Sequence, residues 1–133
     1  MTHTHDLRVY YEDTDMAGIV YYANYLRFLE RGRSELVRDA GLDQLAMRDD
    51  LGIVFAVRRV EVDYLRPARF DDVLTVHTET SELGAASLTM SQRITRGAEE
   101  ILRAEVRVAV MSLGGKPVRL PAEIRQRLQN TKV

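Results

Sequence analysis

The sequence predicts an α+β fold in which one long helix packs on an antiparallel sheet of about five strands. An amphipathic helical pattern runs from Tyr22 to Ala40, and the chain after it is mostly strand-length segments of alternating apolar and polar residues. The connections between these segments are short, which suits antiparallel hairpins. We therefore expect a single domain over residues 1–133, with a helical layer on one sheet.

The first predicted elements are a strand from His3 to Tyr11 and the long helix. Residues that are apolar or small recur in the helix at spacings of three and four, which lines one side for burial. They are Tyr22, Tyr25, Leu26, Leu29, Gly32, Leu36, Val37 and Ala40. Gly32 lies inside this stripe and predicts a close approach to another backbone, whereas Gly41 supplies a left-handed residue that ends the helix.

The remaining elements follow from alternation and from turn residues. The pattern predicts a short helix over 42–50, strands over 53–65, 73–80, 87–95 and 102–110, and a C-terminal helix from Pro121. Arg66-Pro67 ends the first of these strands, because proline cannot donate a ladder hydrogen bond. A lone sheet on one helix leaves an edge strand exposed, so we expect a symmetric oligomer.

Composition excludes several classes of protein. Nineteen basic and twenty acidic residues give a net charge of −1, which argues against a general nucleic-acid or membrane-surface binder. There is no cysteine, so a disulfide framework, a thiol nucleophile and a cysteine zinc site are excluded. We find no apolar run long enough to span a bilayer and no signal-peptide pattern at the N-terminus, so we expect a cytoplasmic protein without membrane insertion.

The chemistry is expected where an acidic loop meets the start of the helix. Glu12, Asp13 and Asp15 precede Ala17 and Gly18, whose small side chains leave the backbone open to a ligand. The first N–H groups of a helix have no partner within it and form the positive end of its dipole. A carboxylate there can be a nucleophile or base, and the N–H groups can stabilise an oxyanion.

Two other interpretations of this loop stay open on the residue pattern. The acidic residues can simply cap the helix and favour its dipole, which is the commoner use of such residues. Asp13 and Asp15 can also supply a divalent-cation site of the DxD type, although no second acidic cluster stands out as a partner.

The chain also resembles a known family. The segment YYEDTDMAGIVYYANYLRFLERGRSELVRDAGL, followed by VEVDYLRPARFDD and GKPVRLP, is similar to the hotdog-fold acyl-CoA thioesterases of the 4-hydroxybenzoyl-CoA thioesterase family, and especially to its YbgC branch. The resemblance covers nearly the whole chain. It implies a five-stranded sheet wrapped around the helix, and homodimers, often paired as homotetramers, with active sites at the subunit interface.

The resemblance also implies roles for individual residues. Asp15 matches the family's catalytic carboxylate, as nucleophile or general base, and the backbone N–H near Tyr22 matches the group that polarises the thioester carbonyl. Gly18 is expected to contact substrate, and Arg93 and Arg96 are candidates for holding the phosphates of coenzyme A. Asp13 is expected to shape the loop. No cofactor or metal is implied.

One departure from the YbgC branch concerns Tyr22, where many of its sequences have histidine. The backbone N–H is unaffected, so the reaction class stands, while acyl preference and rate are open. The alternative function is a non-catalytic acyl-binding or scaffold protein associated with the Tol-Pal envelope system. A hotdog hydratase is a further alternative, but its Asp/His pairing is not evident, since the loop has no histidine after His5.

Overall fold

Five antiparallel strands form one sheet in the computed structural model, which describes residues 2–132. The strands are β1 (His3–Arg8), β2 (Ile53–Tyr64), β3 (Val73–Leu83), β4 (Ser87–Arg96) and β5 (Glu99–Ser112), in the spatial order β1-β3-β4-β5-β2. The helices are α1 (Asn24–Asp39), α2 (Gln44–Ala46), which runs into a π-helical turn (Met47–Leu51), and α3 (Ala122–Gln129). The predicted α+β class and the five-stranded antiparallel sheet are confirmed.

The predicted bounds of three strands differ from the structure by more than one residue, and β3 extends to Leu83 rather than residue 80. The first strand ends at Arg8 rather than Tyr11, because the backbone N–H of Tyr10 bonds the Asp13 carboxylate and turns the chain into a 3₁₀ turn, Tyr11–Asp13. The last strand is longer than predicted, since the hairpin before it turns within residues 97–98 and pairing continues from Glu99.

Helix α1 buries one face against the sheet, and Phe28 and Leu29 on that face are fully buried. The predicted stripe was partly wrong, because Tyr22 is 61% exposed and Leu26 is 42% exposed, while Phe28 was not included in it. Tyr22 lies before the first helical residue, and Leu26 faces a groove between α1 and β2.

Gly32 makes the close approach that the sequence predicted. A Cβ at this position would lie 2.5 Å from Val76 Cγ1 and 3.0 Å from Thr78 Oγ1. Beside it, the buried Gln92 amide donates to the Leu29 carbonyl at 2.9 Å and to Thr78 Oγ1 at 2.9 Å. The helix is therefore fixed to β3 and β4 by direct contact and by a buried amide.

The helix packs mainly against β1 and β3, which leaves the β2 side of the sheet less covered. Strand β2 pairs with β5 and forms one edge of the sheet. Val57, Val60 and Tyr64 lie on the helix side of β2, yet each is at least one-third exposed. Among the helices of residues 2–132, none combines the length and apolarity needed to cross a membrane.

Candidate active site

The acidic loop before α1 is a folded turn held together by Asp13. The Asp13 carboxylate accepts the backbone N–H of Tyr10 at 2.8 Å. Its carbonyl accepts the N–H of Tyr21 at 2.9 Å and the side-chain amide of Asn24 at 2.9 Å. Asp13 therefore shapes the loop and ties it to the first residue of the helix.

Asp15 lies exposed in the same loop, with one carboxylate oxygen fixed and the other free. Oδ1 accepts the backbone N–H of Ala17 at 2.9 Å, and the N–H of Asp15 donates to the Ile19 carbonyl at 2.9 Å. Within residues 2–132, no hydrogen bond reaches Oδ2. The carboxylate is thus oriented through one oxygen while the second remains available to attack a carbonyl or take a proton.

Gly18 completes the turn in a conformation that favours glycine. Its φ is 78°, and its N–H donates to the Asp15 carbonyl at 3.0 Å. A Cβ added at Gly18 would meet nothing within 4 Å, so backbone conformation rather than internal crowding requires glycine. The space above Gly18 is open, which leaves room for a ligand beside Asp15.

The start of α1 presents free backbone donors. Ala23 is the N-cap and no described side chain hydrogen-bonds to the N–H groups of the first turn, so Asp13 and Asp15 do not cap α1 through their side chains. Leu26 N–H bonds the Ala23 carbonyl at 3.2 Å. The N–H groups of Tyr22 and Ala23 have no acceptor in the described part of the chain. Two consecutive donors therefore lie at the positive end of the helix dipole, on the loop that carries Asp15.

Aromatic side chains pack beside the start of the helix, on the side that faces the sheet. The buried Tyr25 hydroxyl accepts the Ala68 N–H at 3.0 Å, and burial raises the pKa of Tyr25, so its hydroxyl stays neutral. The Tyr64 hydroxyl donates to the Tyr22 carbonyl at 3.3 Å, and its ring lies against Tyr22 and Tyr25 with centroid separations of 6.2 and 5.7 Å. Sequence reasoning assigned no role to Tyr64, which is a strand-end tyrosine three residues before a proline.

Arg96 reaches the back of the site but is engaged within the chain. Its guanidinium donates to Asp72 at 2.7 Å, to the Pro67 carbonyl at 3.3 Å and to Glu99 at 3.3 Å. Burial alone would raise the pKa of Asp72, but the Arg69 N–H and the Arg96 guanidinium together lower it. Arg96 therefore stabilises the segment that contains Pro67 and Asp72, behind the loop. A phosphate bound by Arg96 would compete with its ion pair to Asp72.

Arg93 lies away from the Asp15 loop. Its neighbours Gln92 and Ile94 are buried on the helix side of β4, so alternation directs Arg93 to the outer face, between His77 and Arg103 on the adjacent strands. Burial and the charge of Arg93 lower the pKa of His77. The structure thus brings Asp15, Gly18 and Tyr22 into one loop and leaves Arg93 on the other face of the sheet.

The geometry does not support a DxD metal site at Asp13 and Asp15. Across residues 2–132 there is no group of three or more acidic or histidine side chains placed to hold an ion. Asp13 and Asp15 instead each accept a backbone N–H within the loop.

Comparison with known proteins gives consistent matches along most of the chain. Residues 9–128 match the model of the thioesterase-like superfamily. The chain is 39% identical over 127 residues to the acyl-CoA thioesterase YbgC of Haemophilus influenzae, which covers 95% of this chain and 93% of that protein. It is 42% identical over 120 residues to the acyl-CoA thioester hydrolase YbgC of Escherichia coli O6:H1, covering 89% of each.

A solved structure agrees with the sequence matches. The crystal structure of a probable thioesterase from Bartonella henselae superposes with a TM-score of 0.88 at 40% identity, covering 91% of this chain and all of that one.

Proposed function

This chain belongs to the thioesterase-like superfamily, and from that premise we propose that it hydrolyses the thioester of acyl-CoA to a free acid and CoA. The substrates we propose are short-chain aliphatic or aromatic acyl-CoA. The observation that carries the proposal is the placement of Asp15, with one free carboxylate oxygen, on the loop that ends in the unpaired N–H groups of Tyr22 and Ala23.

The reaction needs little more than these groups. In the nucleophilic route, an Asp15 oxygen attacks the thioester carbonyl, and the thiolate leaves to give a mixed anhydride that water hydrolyses. In the general-base route, Asp15 removes a proton from the attacking water. In both routes the carbonyl oxygen becomes negative, and the N–H groups at the helix start stabilise it. We favour the nucleophilic route.

The fold offers a clear surface for the proposed homodimer. Strand β2 leaves a 12-residue edge whose outer side has no partner strand among the described residues. Val57, Val60 and Leu26 expose apolar surface on the helix side of that edge. A second copy would pair the edge and cover these residues. The proposed tetramer and the cytoplasmic location stay predictions.

The two arginines have unequal support as phosphate ligands. Arg93 makes no ion pair with any described residue, whereas Arg96 already pairs with Asp72 and Glu99. Arg93, however, lies on the outer face of the sheet, away from the Asp15 loop, so we propose both arginines as candidates. Replacing an arginine that binds the phosphates by alanine should raise KM for acyl-CoA but not for the matching acyl-pantetheine, which lacks the nucleotide.

The test of the proposed function is release of free CoA thiol from a panel of short aliphatic, long aliphatic and benzoyl-type CoA esters. Wild type, Asp15→Asn and Glu12→Gln are compared after each is shown to have the same oligomeric state. Glu12 is an exposed acid three residues away, so its variant controls for loss of one negative charge from the loop. We expect turnover in wild type and Glu12→Gln and loss in Asp15→Asn. Absence of turnover in wild type would overturn the proposal.

A further inference from the structure

Tyr64 contacts the peptide group between Tyr22 and Ala23, at the start of the helix. The carbonyl of this peptide group accepts no hydrogen bond from the first turn of α1. The tightened first turn of α1 directs the Leu26 N–H to the carbonyl of Ala23 rather than to that of Tyr22. The Tyr22 carbonyl instead accepts the Tyr64 hydroxyl, from the last residue of β2.

The geometry of a trans peptide links this contact to the proposed oxyanion donors. The carbonyl of Tyr22 and the N–H of Ala23 belong to one planar unit and point in opposite directions. No peptide in residues 2–132 is cis. Fixing the carbonyl toward β2 therefore directs the Ala23 N–H away from β2, and Asp13 fixes the preceding residue through the Tyr21 N–H.

We propose that Tyr64 is a positioning residue for catalysis, which orients the Tyr22–Ala23 peptide so that Ala23 N–H joins Tyr22 N–H as a second oxyanion donor. This inference rests on the proposed thioesterase function. The ring contacts of Tyr64 with Tyr22 and Tyr25 hold the side chain in place, so its hydroxyl contributes orientation rather than packing.

The distance of 3.3 Å between the Tyr64 hydroxyl and the Tyr22 carbonyl oxygen indicates a small effect on the rate, no larger than that of one hydrogen bond. It is longer than the usual O–H···O distance, so the contact in the free protein is weak, and its loss should affect positioning more than stability. One net hydrogen bond corresponds to a rate change of about 2- to 10-fold. Because the oxyanion develops only on the way to the transition state, the change should appear in kcat rather than in KM.

The experiment compares Tyr64→Phe with Tyr11→Phe on the best acyl-CoA substrate. Tyr11 is exposed, its ring contacts only Phe70 among the described aromatic rings, and its hydroxyl has no partner there. We expect Tyr64→Phe to lower kcat about 2- to 10-fold with KM and melting temperature unchanged, and Tyr11→Phe to change none of these. In a ¹H–¹⁵N spectrum, Tyr64→Phe should shift the Ala23 amide and leave the C-terminal half of α1 unmoved.

The outcomes separate this inference from the proposed function. Wild-type turnover that is lost in Asp15→Asn but unchanged in Tyr64→Phe would overturn the role of Tyr64 alone. A fall in kcat that is accompanied by a lower melting temperature would also overturn it, since this pattern indicates a structural role. A raised KM with unchanged kcat would overturn it as well, since this pattern indicates a role in binding the ground state. Absence of wild-type turnover would overturn both proposals, whereas the predicted kcat effect with the Ala23 shift would support this one.

Discussion

The contact between Gly32 and β3 makes a quantitative prediction about stability. A methyl group at Gly32 would lie 2.5 Å from Val76 Cγ1, which is well inside van der Waals contact. Val76 is fully buried and β-branched, so its side chain has few alternative rotamers. Replacing Gly32 by alanine therefore forces the helix away from the sheet or strains β3.

The expected magnitude is the difference between two opposing effects. Overpacking a filled core costs about 1 to 3 kcal/mol. Alanine in a helix interior regains about 0.8 to 1 kcal/mol relative to glycine. Because Val76 cannot yield easily, we expect the upper part of the cost and a net destabilisation of about 1 to 2 kcal/mol. For 133 residues at about 2.1 cal/mol/K each, this lowers the melting temperature by about 4 to 7 °C.

Thermal and urea unfolding of Gly32→Ala measure this effect, with Arg27→Ala as an exposed control in the same helix. A double-mutant cycle with Val76→Ala tests the cause, since the smaller side chain makes room for the new methyl group. Gly32→Ala should cost less in the Val76→Ala background than in wild type. A rise in melting temperature for Gly32→Ala, or an equal cost in both backgrounds, would refute the close-packing argument.

Two further predictions concern the segment behind the Asp15 loop. The pKa of Asp72 is lowered in the folded state, so its stabilising effect is present above the ordinary value of 3.8 and is lost as the pH falls through the folded value. Asp72→Asn should therefore lower stability by about 1 kcal/mol at pH 7 in urea titrations, with the difference from wild type shrinking as the pH falls below 3.8. A difference that persists in acid would contradict the ion-pair origin. Tyr25→Phe removes the acceptor of the buried Ala68 N–H and should cost about 1 to 3 kcal/mol, with faster hydrogen exchange at Ala68. Unchanged exchange at Ala68 would show that this hydrogen bond does not protect the segment.

Local sequence patterns predicted most of the fold, because the buried positions of most strands and helices match the apolar periodicity of the same segment. The alternation of Leu88, Met90 and Ile94 matches the buried face of β4. Gly41 has a φ of 86° directly after the helix, as the C-terminal signal predicted. In each case the deciding interaction lies within one element or its nearest neighbours.

Several misses come from contacts between residues far apart in sequence. Arg96 meets an acid 24 residues away, and nothing in its own strand indicates that partner. The role of Tyr64 depends on a carbonyl 42 residues earlier. Leu26 is exposed because it faces the open groove beside β2, which helical periodicity cannot reveal, and Tyr22 is exposed because it lies before the helix.

The central claim, that Asp15 performs the chemistry rather than the binding, is tested most directly by measuring turnover and acyl-CoA affinity on the same Asp15→Asn protein. Asparagine keeps the oxygen that accepts the Ala17 N–H, so the loop should hold its shape while the charge is lost. We expect kcat to fall by about 100-fold or more, with the dissociation constant for the same acyl-CoA changed by less than about threefold. Turnover close to that of wild type, or a loss of binding that accounts for the whole loss of rate, would contradict the account.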